Sequence, residues 1–172
     1  DLDCISDAKI SFVATGGTST YTSYEVRYNG GSWTTPATSP NTYSVDGTYE
    51  FRVTDNAGCK AISNLITITP KSTPSFAHNE TQISCIGGTN GVINITSPTG
   101  IAPFTYLITK GATTISTTAT ASGLNTGTYT VLLTDSKGCT YTENITLNDP
   151  TPLSATVNKT ALSCGVNNAT VA

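Results

Sequence analysis

Apolar and polar side chains alternate along several segments of the chain, and this period of two predicts β-strands. Tyr24, Val26 and Tyr28 alternate with polar residues between them. Such alternation is typical of a strand with one face on a core and the other in water. The pattern recurs at nine further residues, five aromatic and four aliphatic: Tyr49, Phe51, Val53, Phe104, Tyr106, Ile108, Tyr129, Val131 and Leu133.

Shorter strand-like runs cover residues 10–15, 65–69, 91–96 and 144–147. Gly, Pro, Asn and Asp separate the runs at a spacing of roughly 8–12 residues, which favours a sandwich or a barrel. About seven strands in each ~80 residues suit an immunoglobulin-like fold. We therefore predict an all-β protein made of tandem immunoglobulin-like antiparallel β-sandwich modules.

An internal repeat supports the tandem arrangement. Residues 47–59 (GTYEFRVTDNAGC) recur 80 residues later as residues 127–139 (GTYTVLLTDSKGC), with seven of thirteen positions identical. The proline-containing stretches 70–74 and 149–152 have the character of short linkers. We predict a first module at 1–72, a second at 73–150, and the opening strands of a third at 151–172. Both ends are expected to be cuts in a longer polypeptide, which would shorten the first strand.

Composition and charge exclude some classes of function. Charged residues make up 11% of the chain and the net charge is −3, so the basic footprint of a nucleic-acid-binding protein is missing. No apolar stretch approaches the ~18–20 residues of a membrane-spanning helix. The 35 threonines suit the wet faces of strands, because threonine is β-branched and polar.

Charged residues predict how the two long strands of the first module pair. Antiparallel pairing of Glu25 with Arg52 places Arg27 opposite Glu50 in the same register. Exposed pairs of this kind contribute only ~0.2–1 kcal/mol each, so they specify register more than stability.

The second module carries leucines on the corresponding strands. Counting 80 residues on from the charged positions gives Thr105, Leu107, Thr130 and Leu132. We expect Leu107 and Leu132 to face outward on one sheet. They are either two scattered surface leucines or a contact patch for a neighbouring chain or domain.

The five cysteines recur with the period of the repeat. One opens each of the three modules, and one ends each of the repeated segments 47–59 and 127–139. None forms a C-x-x-C pair, so zinc or iron–sulfur ligation is not expected. Their recurrence favours disulfides and an oxidising, extracellular setting. The candidates for disulfide bonding are Cys4, Cys59, Cys85 and Cys139, with Cys164 as a further opening cysteine.

Three oxidised arrangements remain open, beside reduced buried thiols or other pairings. Pairing within modules gives Cys4–Cys59 and Cys85–Cys139, and pairing of adjacent cysteines gives Cys59–Cys85 and Cys139–Cys164. A third arrangement joins Cys4 to Cys139 across the module junction. An immunoglobulin topology separates the two cysteines of one module by about the ~20 Å length of a six-residue strand, whereas a disulfide needs Cα atoms within ~7 Å. Pairing within modules, however, makes each module self-sufficient.

Carboxylates suggest turns and one weak cation site. Asp55 and Asp135 each lie in the sequence Thr-Asp-x-x-Gly-Cys, which predicts a turn in which the aspartate side chain binds backbone and glycine takes a positive φ. Asp1, Asp3 and Asp7 cluster near one end and are candidate ligands for Ca²⁺, although such a site needs several converging oxygens. No other cofactor is expected.

Candidate catalytic residues are few. The single histidine, His78, accompanies no nucleophile motif, and no motif places paired carboxylates for glycoside hydrolysis. We therefore expect no enzymatic activity. Trp33 follows a Gly-Gly-Ser sequence and either covers the edge of the core or offers a stacking platform to a sugar.

The second module has an opening cysteine, a Gly-Gly pair before the aromatic strand and then Gly-Thr-Tyr-x-Val-x-x-Thr-Asp-x-x-Gly-Cys-Thr. This combination resembles the SprB repeat, which is named for a gliding-motility adhesin of Bacteroidetes bacteria. The second module matches it at 85–88, 103–106, 123–124 and 127–140. The first module matches at Cys4, 16–17 and 47–59, but residues 24–28 depart from the Pro-aromatic-Thr-Tyr pattern. The resemblance implies export by the type IX secretion system, display on the cell surface and no catalytic residues.

The expected function is that of non-catalytic modules in a large secreted bacterial adhesin or filament, acting as an extended stalk in adhesion or gliding motility. Expected partners are neighbouring modules, surface polysaccharide or other copies of the protein, with no nucleic acid and no membrane span. One alternative is an accessory or carbohydrate-binding module of a secreted enzyme, and another is ice binding by the threonine-rich faces.

Overall fold

The computed structural model describes residues 1–18, 20–35, 37 and 39–159. Across these residues the chain forms thirteen β-strands and no helix, which confirms the all-β prediction. In this described part of the chain, no helix is long and apolar enough to cross a membrane. Residues 151–159 carry no strand, and the remainder of the predicted third module lies outside the described residues.

The strands fall into two sets, which we call the N-terminal unit and the C-terminal unit. The N-terminal unit contains β1 (Ala8–Ile10), β2 (Tyr21–Tyr28), β3 (Asn41–Tyr43), β4 (Gly47–Asp55), β5 (Lys60–Ile62) and β6 (Ile66–Ile68). The C-terminal unit contains β7 (Ser75–Thr81), β8 (Gly91–Thr99), β9 (Thr105–Lys110), β10 (Thr113–Ser116), β11 (Thr120–Leu124), β12 (Gly127–Thr134) and β13 (Thr140–Leu147).

Both units are built from antiparallel sheets. In the C-terminal unit, β11, β8 and β7 form one sheet and β10, β9, β12 and β13 form the other. In the N-terminal unit, β1 pairs with β3, while β2, β4 and β5 form a second sheet in which β6 also pairs with β4. Seven strands in sheets of three and four are typical of a β-sandwich.

Each unit buries its own apolar cluster. The inward-facing side chains of the alternating strands form these clusters. The C-terminal cluster includes Ile93, Ile108, Tyr129, Val131 and Leu133, each at most 1% exposed. The N-terminal cluster is smaller and more aromatic, with Tyr49 and Phe51 buried beside Phe12, Tyr24 and Tyr43. The alternation therefore identifies most core-facing residues of the long strands, but Tyr28 is 43% exposed and Val53 belongs to neither cluster.

The predicted register of β2 and β4 is confirmed. Glu25 lies opposite Arg52, and Arg27 lies opposite Glu50. Both pairs form salt bridges with a shortest nitrogen–oxygen distance of 2.6 Å, and Arg52 reaches Glu25 through two of its nitrogens. The charged side chains therefore fix which residues of the two strands face each other.

The corresponding strands of the C-terminal unit are shifted by two residues from the predicted equivalence. Leu107 lies opposite Leu132, and Thr109 lies opposite Thr130. The 80-residue spacing therefore holds for β4 and β12, whereas β9 corresponds to β2 at a spacing of 82. As a result, an apolar pair stands where the Glu25–Arg52 ion pair stands in the N-terminal unit. Both leucines are half-buried and point away from the core, as predicted.

The predicted strand at residues 10–15 is wrong beyond Ile10. The backbone of Phe12 bonds the Ser39 hydroxyl, with Oγ as acceptor for its N–H (2.9 Å) and as donor to its carbonyl (2.8 Å). A side chain thus replaces the neighbouring strand as the partner of this segment, while the Phe12 ring packs against the core.

Two adjacent leucines on β12 test the assignment of its faces. Leu133→Ala should lower the free energy of unfolding by about 2–5 kcal/mol, because it leaves a cavity in the core. Leu132→Ala removes only a cross-strand contact on the outer face and should cost about 1 kcal/mol or less. Urea denaturation of both variants measures the difference, and equal losses would contradict the assignment.

Candidate functional site

The turn at residues 135–139 lies where the two units meet. The Oδ1 atom of Asp135 accepts the backbone N–H groups of Lys137 (2.9 Å) and Cys139 (3.0 Å). Gly138 has a φ of +73°, which a residue with a Cβ rarely adopts. This confirms the predicted turn, in which a short side chain takes the place of a backbone acceptor.

The second carboxylate oxygen of Asp135 joins the turn to two other segments. Its Oδ2 atom accepts the backbone N–H of Ile101 (3.3 Å) and the hydroxyl of Ser72. Ser72 belongs to the stretch between β6 and β7, which connects the units. One buried carboxylate therefore holds the turn, the β8–β9 loop and the connecting segment together.

These donors also stabilise the charged form of the side chain. The Ser72 hydroxyl, followed by the N–H groups of Cys139, Ile101 and Lys137, lowers the pKa of Asp135 below its ordinary value and outweighs the opposing effect of burial. The carboxylate is thus held ionised by hydrogen bonds from neutral groups.

The N-terminal unit contains the same turn at residues 55–59. Asp55 Oδ1 accepts the N–H groups of Ala57 (3.0 Å) and Cys59 (2.9 Å), and Oδ2 accepts the N–H of Thr18 (3.2 Å). The pKa of Asp55 is lowered as well, with the Cys59 N–H as the largest cause. The repeated sequence therefore encodes a repeated geometry.

A disulfide joins the two units between Cys4 and Cys139, whose Cα atoms lie 4.9 Å apart. The Cys4 N–H also donates to the Lys137 carbonyl (2.9 Å). This is the junction pairing, so pairing within modules is wrong for this structure. Cys59 and Cys85 carry exposed free thiols, which also rules out their pairing with each other here. Cys164 lies outside the described residues.

Topology explains this outcome. Cys85 follows the end of β7, whereas Cys139 lies between β12 and β13, and the antiparallel order puts these two points at opposite ends of the unit. Cys4 lies at the end of the N-terminal unit next to the connecting segment, since Leu2 donates its N–H to the Thr69 carbonyl. The nearer cysteine partner is therefore on the neighbouring unit.

Ile5 packs against the turn beside the disulfide. A Cβ atom built on Gly138 would lie 2.4 Å from Ile5 Cγ1. Glycine is thus required there for two reasons, its positive φ and the close approach of this side chain.

Asp3 shapes the segment that carries Cys4 and Ile5. Its Oδ1 atom accepts the N–H groups of Ile5 and Ser6. These bonds, the Ser6 bond first, lower the pKa of Asp3, and the charge of Lys137 across the junction contributes as well. Asp3 is therefore engaged in a local turn.

Calcium binding gains no geometric support. Asp1 accepts the Thr69 N–H (3.3 Å) and Asp3 forms its own turn. Among the described residues, no group of three or more His, Cys, Asp or Glu side chains could hold a metal ion. His78 lies on β7 between two glutamates. Its Nδ1 atom is 3.1 Å from Glu80 Oε2, and its Nε2 atom is 3.5 Å from Glu143 Oε1.

Trp33 lies over the charged face of the N-terminal sheet. The guanidinium carbons of Arg27 and Arg52 are 4.8 and 4.4 Å from its ring centroid. The ring is half-buried and does not belong to the apolar cluster, so its main contacts are cation–π interactions. Trp33 therefore covers the ion pairs that fix the register.

On the outer face of the C-terminal unit, apolar residues replace Trp33 and the Glu25–Arg52 pair, whereas Thr109 and Thr130 replace the Arg27–Glu50 pair. Thr34 bridges to Val26, and Ser116 pairs with Ile108 in the same way. The residue before Ser116 is Ile115, which is 37% exposed. Ile115 therefore lies where Trp33 lies in the N-terminal unit. Leu107 and Leu132 lie where Glu25 and Arg52 lie.

Sequence reasoning did not identify Ser72, Ile101 or Ile5 as junction residues. Ser72 and Ile101 act through a carboxylate more than thirty residues away, and nothing local marks that contact. A signal for Ile5 was present, since the dipeptide Cys-Ile occurs at 4–5 and again at 85–86.

Asp135→Asn tests the carboxylate. The amide would present an NH₂ group to donors that now face an oxygen, so the melting temperature at pH 7 should fall. Because the folded-state pKa is lowered, the contribution of Asp135 is present above the unfolded value of about 4 and is lost as pH falls through the folded value.

Thermal unfolding followed by circular dichroism from pH 7 to pH 2.5 measures this effect. The gap between Asp135→Asn and the unaltered protein should narrow in acid, and the exposed Asp7→Asn control should differ little at any pH. A gap that stays constant across this range would refute the electrostatic explanation.

No protein-family model matches this chain, and no curated protein does either. The junction and the two outer faces are therefore the features of the molecule that bear on its function.

Proposed function

We propose that the chain is part of a large secreted bacterial protein in which non-catalytic modules of this kind follow one another as an extended surface scaffold. The observation that carries the proposal is the junction, where a disulfide joins the two units and the Asp135 carboxylate binds the segment that connects them. A stalk needs this property, because it must transmit force without rotating freely at each joint.

The route of force through the junction follows from its contacts. Without the disulfide, a pull on the chain would be carried by residues 69–74 alone. The Cys4–Cys139 bond provides a second covalent path in parallel, and the Cys4 and Ser72 hydrogen bonds restrict rotation about both. A disulfide also agrees with an oxidising, extracellular location.

The buried carboxylates, which are the groups best suited to catalysis, make structural hydrogen bonds instead. The buried carboxylates, Asp55 and Asp135, accept backbone N–H groups that belong to their own turns. This use of carboxylates supports a structural role over an enzymatic one, and the resemblance to SprB repeats adds cell-surface display, type IX secretion and gliding motility to the proposal.

Carbohydrate binding is a weaker candidate. Trp33 is the residue suited to stack on a sugar, but two ion-paired arginines already lie against its ring. A sugar would have to share the ring with them. An accessory module of a secreted enzyme remains the alternative, and the length and repeat number of the parent protein distinguish it from a stalk.

Antibodies raised against the folded chain test the surface role. Applied to intact, unpermeabilised cells of the source bacterium, they should label the surface, and a brief external protease treatment should abolish the signal. An antibody against a cytoplasmic protein serves as the control for intact cells. Labelling only after permeabilisation would contradict the proposal.

A further inference from the structure

The junction consists of a Cys-Ile segment on one unit and an Asp-x-x-Gly-Cys turn on the other. Each of these two halves occurs a second time in the chain, and there it has no partner among the described residues. The first half is the loop after β7. Cys85 and Ile86 repeat the Cys-Ile sequence of Cys4 and Ile5, and Ile86 is 60% exposed beside the free Cys85 thiol. This loop lies next to the segment that leaves β13, because Asp149 accepts the Gly87 N–H (3.2 Å).

The position of this loop matches that of Cys4 in the N-terminal unit. Asp1 beside Cys4 accepts an N–H from Thr69, just after β6. In both units the opening cysteine therefore lies where the last strand ends, facing the direction in which the chain continues.

The second half is the turn at residues 55–59. It has the hydrogen bonds of the 135–139 turn, and Gly58 has a φ of +82° where Gly138 has +73°. At Gly138 the space beside the glycine is filled by Ile5, whereas no other atom of the described residues lies within 4 Å of the same position at Gly58. The Cys59 thiol beside it is free and exposed. The turn is thus a complete acceptor site without its Cys-Ile segment.

We propose that Cys85 and Cys59 form the same bond between successive units: the opening cysteine of one unit joins the turn cysteine of the unit that follows. The occupant of both sites is a second copy of this chain, with its N-terminal unit placed after the C-terminal unit of the first copy. Ile86 then packs on Gly58, as Ile5 packs on Gly138. The inference rests on the proposed function, in which such units follow one another.

The bond is a two-electron oxidation. The Cys85 and Cys59 thiols lose two protons and two electrons as their sulfurs join. A small-molecule disulfide takes up both and becomes two thiols, by attack of a thiolate on the disulfide and then resolution of the mixed disulfide. Glutathione disulfide serves as this oxidant in the test.

The geometry of the contact predicts chains of protein and not closed dimers. Cys85 and Cys59 lie on different surfaces at opposite ends of the protein, so the contact is heterologous and leaves one free half at each end. A symmetric contact would join Cys85 to Cys85 or Cys59 to Cys59.

Two single-thiol variants test the proposal in the 172-residue chain. C59S/C164S retains Cys85 as its free thiol, and C85S/C164S retains Cys59, while both keep Cys4 and Cys139. Each variant is oxidised with glutathione disulfide, alone and in an equal mixture, and analysed on non-reducing gels. We expect a disulfide-linked dimer in the mixture, far above the level in either variant alone, and a Cys85–Cys59 peptide in its digest.

A third variant separates a shaped contact from chance oxidation of exposed thiols. Ile86→Asp in the C59S/C164S background changes only an exposed side chain, so folding should persist. Ile5 stays 83% exposed beside Gly138, so the equivalent contact of Ile86 with Gly58 buries little apolar area. Its loss should therefore slow dimer formation about twofold.

Three results would overturn the proposal: no dimer in the mixture, equal dimers in each variant alone, or a mixed dimer that is insensitive to Ile86→Asp. None of them affects the surface role, which the labelling of intact cells tests separately.

Discussion

The carboxylate of Asp135 is the point at which three segments of the chain meet. A buried charge is stable only when it is fully hydrogen-bonded, and here the partners are backbone N–H groups of its own turn, the N–H of Ile101 and the hydroxyl of Ser72. Meeting that requirement fixes the path of the turn. The turn in turn places Cys139 against Cys4 and leaves Gly138 open to Ile5. The covalent junction therefore depends on an electrostatic constraint inside one unit.

The two units share this turn and differ on their outer faces. The N-terminal sheet carries ion pairs beneath Trp33, and the C-terminal sheet carries Leu107 opposite Leu132. Such a division is physically reasonable for a scaffold. The ends of each unit must fit a neighbour, whereas the faces can take up different surroundings without disturbing the core.

Sequence reasoning succeeded where the pattern was local and long. Alternation along β4 and β12 identified the inward residues, and the opposite charges of Glu25 and Arg52 gave the correct register. Three-residue strands such as β5 and β6 are too short to show a period, and they form because the longer β4 offers them an edge. The two-residue shift of β9 was also hidden, because the spacing of one strand does not determine that of its neighbour.

The spacing of the cysteines along the chain did not determine how they pair, because it allowed several pairings. The pairing depends on which end of its unit each cysteine occupies. Non-reducing peptide mapping, after free thiols are alkylated in the folded protein, tests this pairing most directly. The structure predicts a linked peptide that contains Cys4 and Cys139, with Cys59 and Cys85 alkylated. Linked peptides joining Cys4 to Cys59 and Cys85 to Cys139 would contradict it.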